Sequence, residues 1–547
     1  MISSPRSSVI GAVAAAVIVI VVATCVRIAP LAVGGDRLER QCVSEDGYLM
    51  LTVARNLAMG KGLTVANGHI PTNGVQPLAT WIYAAFYWMT GGHKLDTLYI
   101  VVGFQFLIAA ATAVLLLSTV RTRLYNGPAP QAVACLAALL WYASPTSVQH
   151  TQNSLETALY VLLILASVAL YDRFAPTLAA TLAPIRCALL GVLLGLTFLA
   201  RNDAAFLIAA MLAIHVALGL RHRHIPRRLA QGLITGSVSV LVALPWLVFN
   251  YSRFGSVLPI SGQAESIRAG LAANLPEAMA VQLETLLVIA RVPAALQMNP
   301  IFQIICAGCV LALSLLAAWH RRWLAENLSV GLLSVGLYAV ALLAFYGLWF
   351  GAPHFLGRYL FPPTIFFAVV LGALVVRLWH VQPRALPRPE LLSIGLLAAL
   401  WLIAIDTRLY LHGTSHEHFQ VVNWVERNVP DNTWVAAVQS GTLGYYHDRT
   451  INLDGKVNAQ ALAARRANTI PQYVADSPAR YIVDWAGLVR WQDIPAIHAH
   501  FELIEHDTAR NLAVFRRRTT SPDAPQADRT FNRPPASATI QATSQVP

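Results

Sequence analysis

Residues 97–119 read TLYIVVGFQFLIAAATAVLLLST, an unbroken uncharged run, and Arg121 and Arg123 follow directly. A helix crossing a bilayer core needs about 20 apolar residues. This stretch therefore predicts a membrane-spanning helix with a positive flank. Working outward, segments of the same kind lie at about 9–26, 131–148, 155–171, 186–200, 204–220, 229–250, 300–319, 329–350, 358–379 and 390–411. The first begins beside Arg6, is long, and is not followed by a small-residue cleavage site, so it reads as a transmembrane helix and not a signal peptide. The fold expected is an α-helical polytopic membrane protein with about eleven spans.

Composition agrees. Of 547 residues, 56% are hydrophobic and 12% charged, whereas a soluble domain carries about 25% charged residues. An ordinary soluble enzyme, a disordered chain and a fibre are all excluded. The 39 Lys and Arg against 27 Asp and Glu give a net charge of +12. Much of the Arg falls in short loops between apolar runs, which marks topology, and no nucleic-acid partner is expected. Six cysteines make no disulfide framework, although Cys25 and Cys42 could pair in an oxidising compartment.

Placing the N-terminus in the cytoplasm puts Arg121 and Arg123, Arg173 and Arg186, Arg221 to Arg228, Arg321 and Arg322, and Arg377 to Arg388 on one side. Arg27, Arg37 and Arg40, after the first span, are the exception. The chain is thus expected to be multi-pass in a cytoplasmic (inner) membrane, surrounded by lipid. That register makes Gln76–Gly92 an interfacial or re-entrant helix inside a first external loop of about 34–96. Residues 1–411 form the membrane domain. From 412 to 518 short apolar runs alternate with polar ones, predicting a small extracytoplasmic α/β domain. Residues 519–547, rich in Ser, Thr, Pro, Ala and Gln, read as a disordered tail.

Ionisable residues gather at one face of the bilayer. Glu45 and Asp46 are adjacent in SEDGYLMLTVARNLAMGKG; they suit either the first turn of a helix or a general base. Glu156 opens one span, Arg201 and Asp203 interrupt FLARNDAAF, and His354 and Arg358 lie in APHFLGRYLFPP. Singly, each fits a helix terminus. Together they supply carboxylates for proton removal and an Arg/His set suited to a phosphate. Asp454 and Lys456 in NLDGKVN read as a strand-to-turn feature, with a face toward the membrane site as the alternative.

The order of motifs, an acidic pair, A-R-N-L-A-x-G-x-G-L, N-G-x-x-P, L-E-T-A-L, A-R-x-D, F-G-S-x-L-P and H-F-x-x-R-Y-L-F-P, resembles the GT-C glycosyltransferases that use polyprenyl-phosphate sugars, including family 39-like and arabinofuranosyltransferase-like bacterial members. The likeness runs from about residue 9 to 411. GTLGYYHDRTINLDGKVN resembles the external domain attached to many of them. The resemblance implies a sugar transferred, hexosyl or pentosyl, from a polyprenyl-phosphate donor to a glycan, lipid or protein acceptor outside the membrane, by an inverting single displacement. It implies that Glu45 or Asp46 is the base and that Glu156, Arg201, Asp203, His354 and Arg358 bind substrate and donor phosphate. It assigns no metal ligands and leaves a divalent cation at Glu45–Asp46 open. The rival readings are a transporter or flippase, which predicts repeated halves and polar groups at mid-membrane, and a non-catalytic glycan-assembly protein.

Overall fold

The computed structural model describes residues 5–32, 34–175, 177–266, 270–287, 299–351, 353–381, 401, 404–405 and 418–518. Segment 390–411, residues 412–417 and the tail 519–547 thus fall wholly or almost wholly outside the described residues. Five described helices are long and apolar enough to cross a membrane: Lys94–Leu124, Thr157–Phe174, Ala204–Arg221, Ile225–Phe254 and Val330–Leu348. Two bent pairs, Pro130–Ala143 with Pro145–Thr151 (60°) and Pro300–Leu316 with Arg321–Asn327 (69°), raise the number to seven. Ala16–Ala32, Pro184–Ala200 and Thr364–Arg377 are shorter apolar helices.

The bend at Ala143 follows from Pro145, which lacks the N–H a continuous helix requires. Ser144 caps the new helix by accepting from the Ser147 N–H. Arg27, expected in a loop, lies instead inside helix Pro5–Ala32 and is fully buried. Its guanidinium donates to the Tyr142 carbonyl, Ser147 Oγ, Thr151 Oγ1 and Gln152 Oε1. It is a strut that satisfies the backbone freed at the bend, and this accounts for a charge where the positive-inside pattern has none to place.

A helix not anticipated from the sequence, Leu275–Leu287, packs among the spans. Its buried Glu284 accepts from Thr146 Oγ1 at 3.0 Å. At one end of the bundle, the loops that carry the basic residues meet. There the Asn126 N–H donates to the Asn327 carbonyl, and the Gly331 N–H donates to Asp172.

The other end is built from helices Glu45–Ala58 and Pro77–Met89, a two-residue hairpin (β1 Thr64–Val65, β2 Ile70–Pro71), and the C-terminal domain. Helix Pro77–Met89 buries Tyr83 and Tyr87 and leaves Trp81, Trp88 and Met89 exposed. The domain holds strands β3 Val435–Ala437, β4 Thr450–Asn452, β5 Tyr481–Asp484, β6 Phe501–Asp507 and β7 Leu512–Arg517, in the order β4-β3-β5-β7-β6. β3 is parallel to β4 and β5, with helices in both crossovers, and β7 is antiparallel to β5 and β6. Alternation along the strands separates two apolar faces. Val435, Ala437, Val483 and Val514 pack on Val421, Val422 and Val425 of helix Phe419–Asn428. Ala436, Ile451, Ile482 and Phe515 join a core shared with Tyr48, Tyr83, Tyr87 and Leu98. The domain is therefore fused to the membrane-proximal loop through a common core. The Tyr48 and Tyr445 rings lie 4.9 Å apart, and the Tyr87 and Tyr445 hydroxyls hydrogen-bond at 2.8 Å.

Candidate active site

Helix Glu45–Ala58 begins at Ser44, whose Oγ accepts from the Gly47 N–H (3.1 Å) and donates to the Asn153 carbonyl (2.9 Å). A Cβ on Gly47 would lie 2.6 Å from that same carbonyl oxygen, so glycine lets the turn before Glu156 lie against the helix start. The two acids are thereby fixed in the first turn and diverge. Glu45 turns to the C-terminal domain. It accepts from the backbone N–H of Gly441, and from the N–H (2.8 Å) and Oγ1 (2.5 Å) of Thr442, at the start of helix Gly441–Tyr446. Asp46 turns the other way, toward a cavity of about 490 Å³.

Asp46, Glu156, Arg201, Asp203, Glu265, Arg358 and Lys456 supply the cavity's charged wall, and Phe198, Phe206, Leu247, Phe345, Phe350 and Phe355 are part of its apolar wall. Asp46 Oδ2 accepts from Arg358 Nη1 at 3.0 Å, and its Oδ1 faces Lys456 Nζ at 3.5 Å. Burial pushes the Asp46 carboxyl up, but Lys456 and Arg358 overcome that and hold it below its ordinary value. It is an anion at neutral pH.

Arg201 ends helix Pro184–Ala200 with extended backbone, at the break where helix Ala204–His222 starts. It is 3% exposed, donates Nη1 to Glu156 (3.2 Å), and gives Nε and Nη2 to Asp203 (2.8 and 2.6 Å). The Tyr346 hydroxyl donates to the second Asp203 oxygen at 2.6 Å. All three guanidinium nitrogens are committed to carboxylates. Arg358, on helix Leu356–Leu360, has only Nη1 on Asp46; its Nε has no partner among the described residues, and its plane lies over Phe355 and Tyr359.

The structure thus brings Asp46, Glu156, Arg201, Asp203 and Arg358 to one cavity. It does not bring Glu45, which anchors the C-terminal domain; His354 is exposed, packs on Phe355 and does not line the cavity, but it stands at the edge of the cluster, within electrostatic reach of Glu265, Lys456, Asp46 and Arg358. Sequence reasoning missed Glu265 and Tyr346 and left Lys456 as the minor reading. The signal for Glu265 lay in F-G-S-x-L-P, which leads into its helix, Ile260–Ser266. Among the described residues, no group of three or more His, Cys, Asp and Glu is placed to hold a metal ion. Glu45 and Asp46 do not converge on one point, so they do not fit as a cation-binding pair.

No curated protein matches the sequence. A family described as a domain of unknown function (DUF8728) matches residues 407–531. The solved structures similar to this chain include ArnT from Cupriavidus metallidurans bound to undecaprenyl phosphate, with a TM-score of 0.56 at 12% identity over 92% of this chain and 98% of that one. ArnT in the apo state gives 0.57 at 12% identity, over 91% and 97%. The archaeal oligosaccharyltransferase AglB from Archaeoglobus fulgidus, in complex with an inhibitory peptide and a dolichol-phosphate, gives 0.54 at 13% identity, over 94% and 75%. At these identities the likeness is one of architecture: the chain has the fold that ArnT and AglB share.

Proposed function

We propose that the protein is a membrane glycosyltransferase that moves a sugar from a polyprenyl-phosphate donor to a glycan, lipid or protein acceptor on the extracytoplasmic side of the cytoplasmic membrane. The observation that carries this reading is the pairing of an anionic carboxylate, Asp46, with an incompletely used guanidinium, Arg358, on the charged wall of a cavity that is also lined by aromatic and aliphatic side chains. ArnT with undecaprenyl phosphate and AglB with dolichol-phosphate share the fold and support a lipid-phosphate donor. The charged groups gather at one end of the bundle. A transporter, by contrast, would place them at mid-membrane.

The donor phosphate meets Arg358, whose planar fork suits phosphate oxygens, and the prenyl chain follows the apolar wall. Asp46 accepts the proton of the acceptor hydroxyl as that oxygen attacks the anomeric carbon, and the sugar–phosphate bond breaks on the opposite face. A single displacement of this kind inverts the anomeric centre. A positioned base contributes about 10²–10⁴-fold. Without donor, Arg358 is shared with Asp46; once the phosphate takes up that positive charge, the Asp46 carboxylate becomes more basic. Glu156, Arg201, Asp203 and Tyr346 form the buried frame that sets the cavity wall. With the N-terminus in the cytoplasm, the basic loops lie inside and the site outside, as the positive-inside pattern requires.

The test is turnover by the full chain in nanodiscs with labelled polyprenyl-phosphate sugars and membrane acceptors, following release of free polyprenyl phosphate. Release by wild type and its loss by about 10²–10⁴-fold in Asp46→Asn are expected. No release from any donor by folded wild type would overturn the function; equal release by Asp46→Asn would overturn the base.

A further inference from the structure

The C-terminal domain reaches the cavity through Lys456. After β4 the chain turns through Gly455, whose φ is +82° and where a Cβ would lie 2.8 Å from the Leu462 Cα. The Lys456 N–H donates to Asp454 Oδ1 at 2.8 Å. From the opposite side, the backbone of the first external loop lies flush: a Cβ on Gly74 would fall 1.9 Å from the Lys456 carbonyl oxygen. Neighbouring Asn73 donates to Asn250 Oδ1 (3.1 Å) and accepts from the Ile260 N–H (3.0 Å), fixing the helix that carries Glu265. That helix packs Ile260 and Ala264 on Leu462, and Gln263 Oε1 accepts from Arg466 at 2.7 Å. Three segments far apart in sequence are locked around one ammonium group.

Lys456 Nζ lies 3.2 Å from Glu265 Oε1, 3.5 Å from Asp46 Oδ1 and 3.6 Å from Asp454 Oδ2, and 4.6 Å from the Phe355 ring centre. Its side chain is 13% exposed. Burial works against the charge, yet the three carboxylates outweigh it and hold the amine protonated. A buried charge persists only when paired and bonded; here one cation serves three anions, of which Asp46 and Glu265 line the cavity and Asp454 does not.

We propose that Lys456 is a positioning residue for Asp46: the ammonium carried in by the C-terminal domain fixes that carboxylate against the cavity wall as an anion, which makes the domain a working part of the site. This rests on the reading of Asp46 as the base. The groups that face Asp46 are Arg358, Lys456, Tyr359 and His354, with Glu265 and Asp454 behind Lys456. An opposite charge at this range lowers a carboxyl by about 1–3 pH units. Removing the Lys456 charge takes away that attraction and unshields Glu265 and Asp454, so both effects raise Asp46. Removing the Glu265 charge acts in the opposite sense.

The experiment compares wild type, Lys456→Met and Glu265→Gln as full chains in nanodiscs. It measures kcat/KM against pH, together with an infrared titration of the Asp46 carboxylate, assigned by subtracting Asp46→Asn. The acid limb of kcat/KM and the infrared midpoint are expected to rise together by about 1–3 pH units in Lys456→Met, and to fall in Glu265→Gln. A purely structural lysine would move neither, and unchanged limbs in both variants overturn the proposal. If Lys456→Met does not fold, the sign of the Glu265→Gln shift decides alone. If wild type releases no polyprenyl phosphate, the transferase reading fails while the infrared midpoints still decide the role of Lys456.

Discussion

Replacing Glu45 by Gln separates the two adjacent acids by function. Glu45 accepts three hydrogen bonds from Gly441 and Thr442 with its two carboxylate oxygens. Gln keeps one acceptor oxygen and turns an NH₂ toward the remaining donors, so at least one bond to a charged acceptor is lost. Such a bond is worth about 1.5–3 kcal/mol. Because every 1.4 kcal/mol is tenfold in an equilibrium constant, the open fraction of the contact should rise roughly ten- to a hundredfold. Hydrogen exchange of the amides in 441–446 reads this directly. Glu45→Gln should speed exchange there while leaving turnover at saturating donor within a few-fold of wild type. Asp46→Asn should do the reverse, leaving 441–446 protected and abolishing release of polyprenyl phosphate. If Glu45→Gln abolishes turnover and leaves exchange at 441–446 unchanged, the division of labour argued from the two carboxylates' directions is wrong and Glu45 is the base.

Gly441→Ala places a Cβ 2.1 Å from the Glu45 carbonyl oxygen, and overpacking of that kind costs about 1–3 kcal/mol or more; exchange at 441–446 should rise at least as far as in Glu45→Gln. Arg201→Met leaves Glu156 and Asp203 buried without their cation. The loss should be about 3–5 kcal/mol, read as a lower thermal midpoint in detergent, and partly recovered by adding Glu156→Gln. Because the Asp46 carboxyl is held below its ordinary value, the stability it lends to the folded state is complete above the unfolded carboxyl's pKa of about 3.9 and is lost as pH falls through the folded value. The stability difference between wild type and Asp46→Asn should therefore be flat from pH 7 to about 5 and shrink below about 4. A difference that already shrinks near pH 6 would refute the depressed value.

The membrane helices were legible because a long uncharged run such as 97–119 has few alternatives in water or lipid, and the basic loops that meet at Asn126–Asn327 mark its far end. The candidate residues at chain breaks were legible for a related reason: Arg201, Asp203 and Glu156 are charges where hydropathy predicts none. The direction of a side chain in one helical turn was not. Glu45 and Asp46 occupy successive positions, about 100° apart on a helix, and which of them meets the cavity depends on where residues 441–442 arrive. Arg27 misled because it sits at the end of an apolar run, like a topology signal, whereas its role is set by a proline bend more than a hundred residues away. F-G-S-x-L-P marks the approach to Glu265 but not its target, which is set by the tertiary path through Asn73 and Asn250.

The charge arrangement also bears on how the site comes into being. Asp46 and Arg358 come from the membrane domain, and an Asp46–Arg358 pair alone would leave Glu265 and Asp454 without a cation. Lys456 supplies it, from a residue 410 positions beyond Asp46. Contacts of such sequence separation form only after much loop-closure entropy has been spent, and here they are backed by a core in which Ile451, Ile482 and Phe515 pack with Tyr48 and Tyr87. The aromatic core therefore provides the docking energy, and the polar contacts at Glu45, Gly74 and Lys456 provide the register. Deleting the domain would remove both at once and would say nothing of the chemistry. Substitutions that keep the tyrosine core and change one charge, at position 45 or at 456, separate docking from the proposed chemistry, because only the second of these charges stands in the cavity wall.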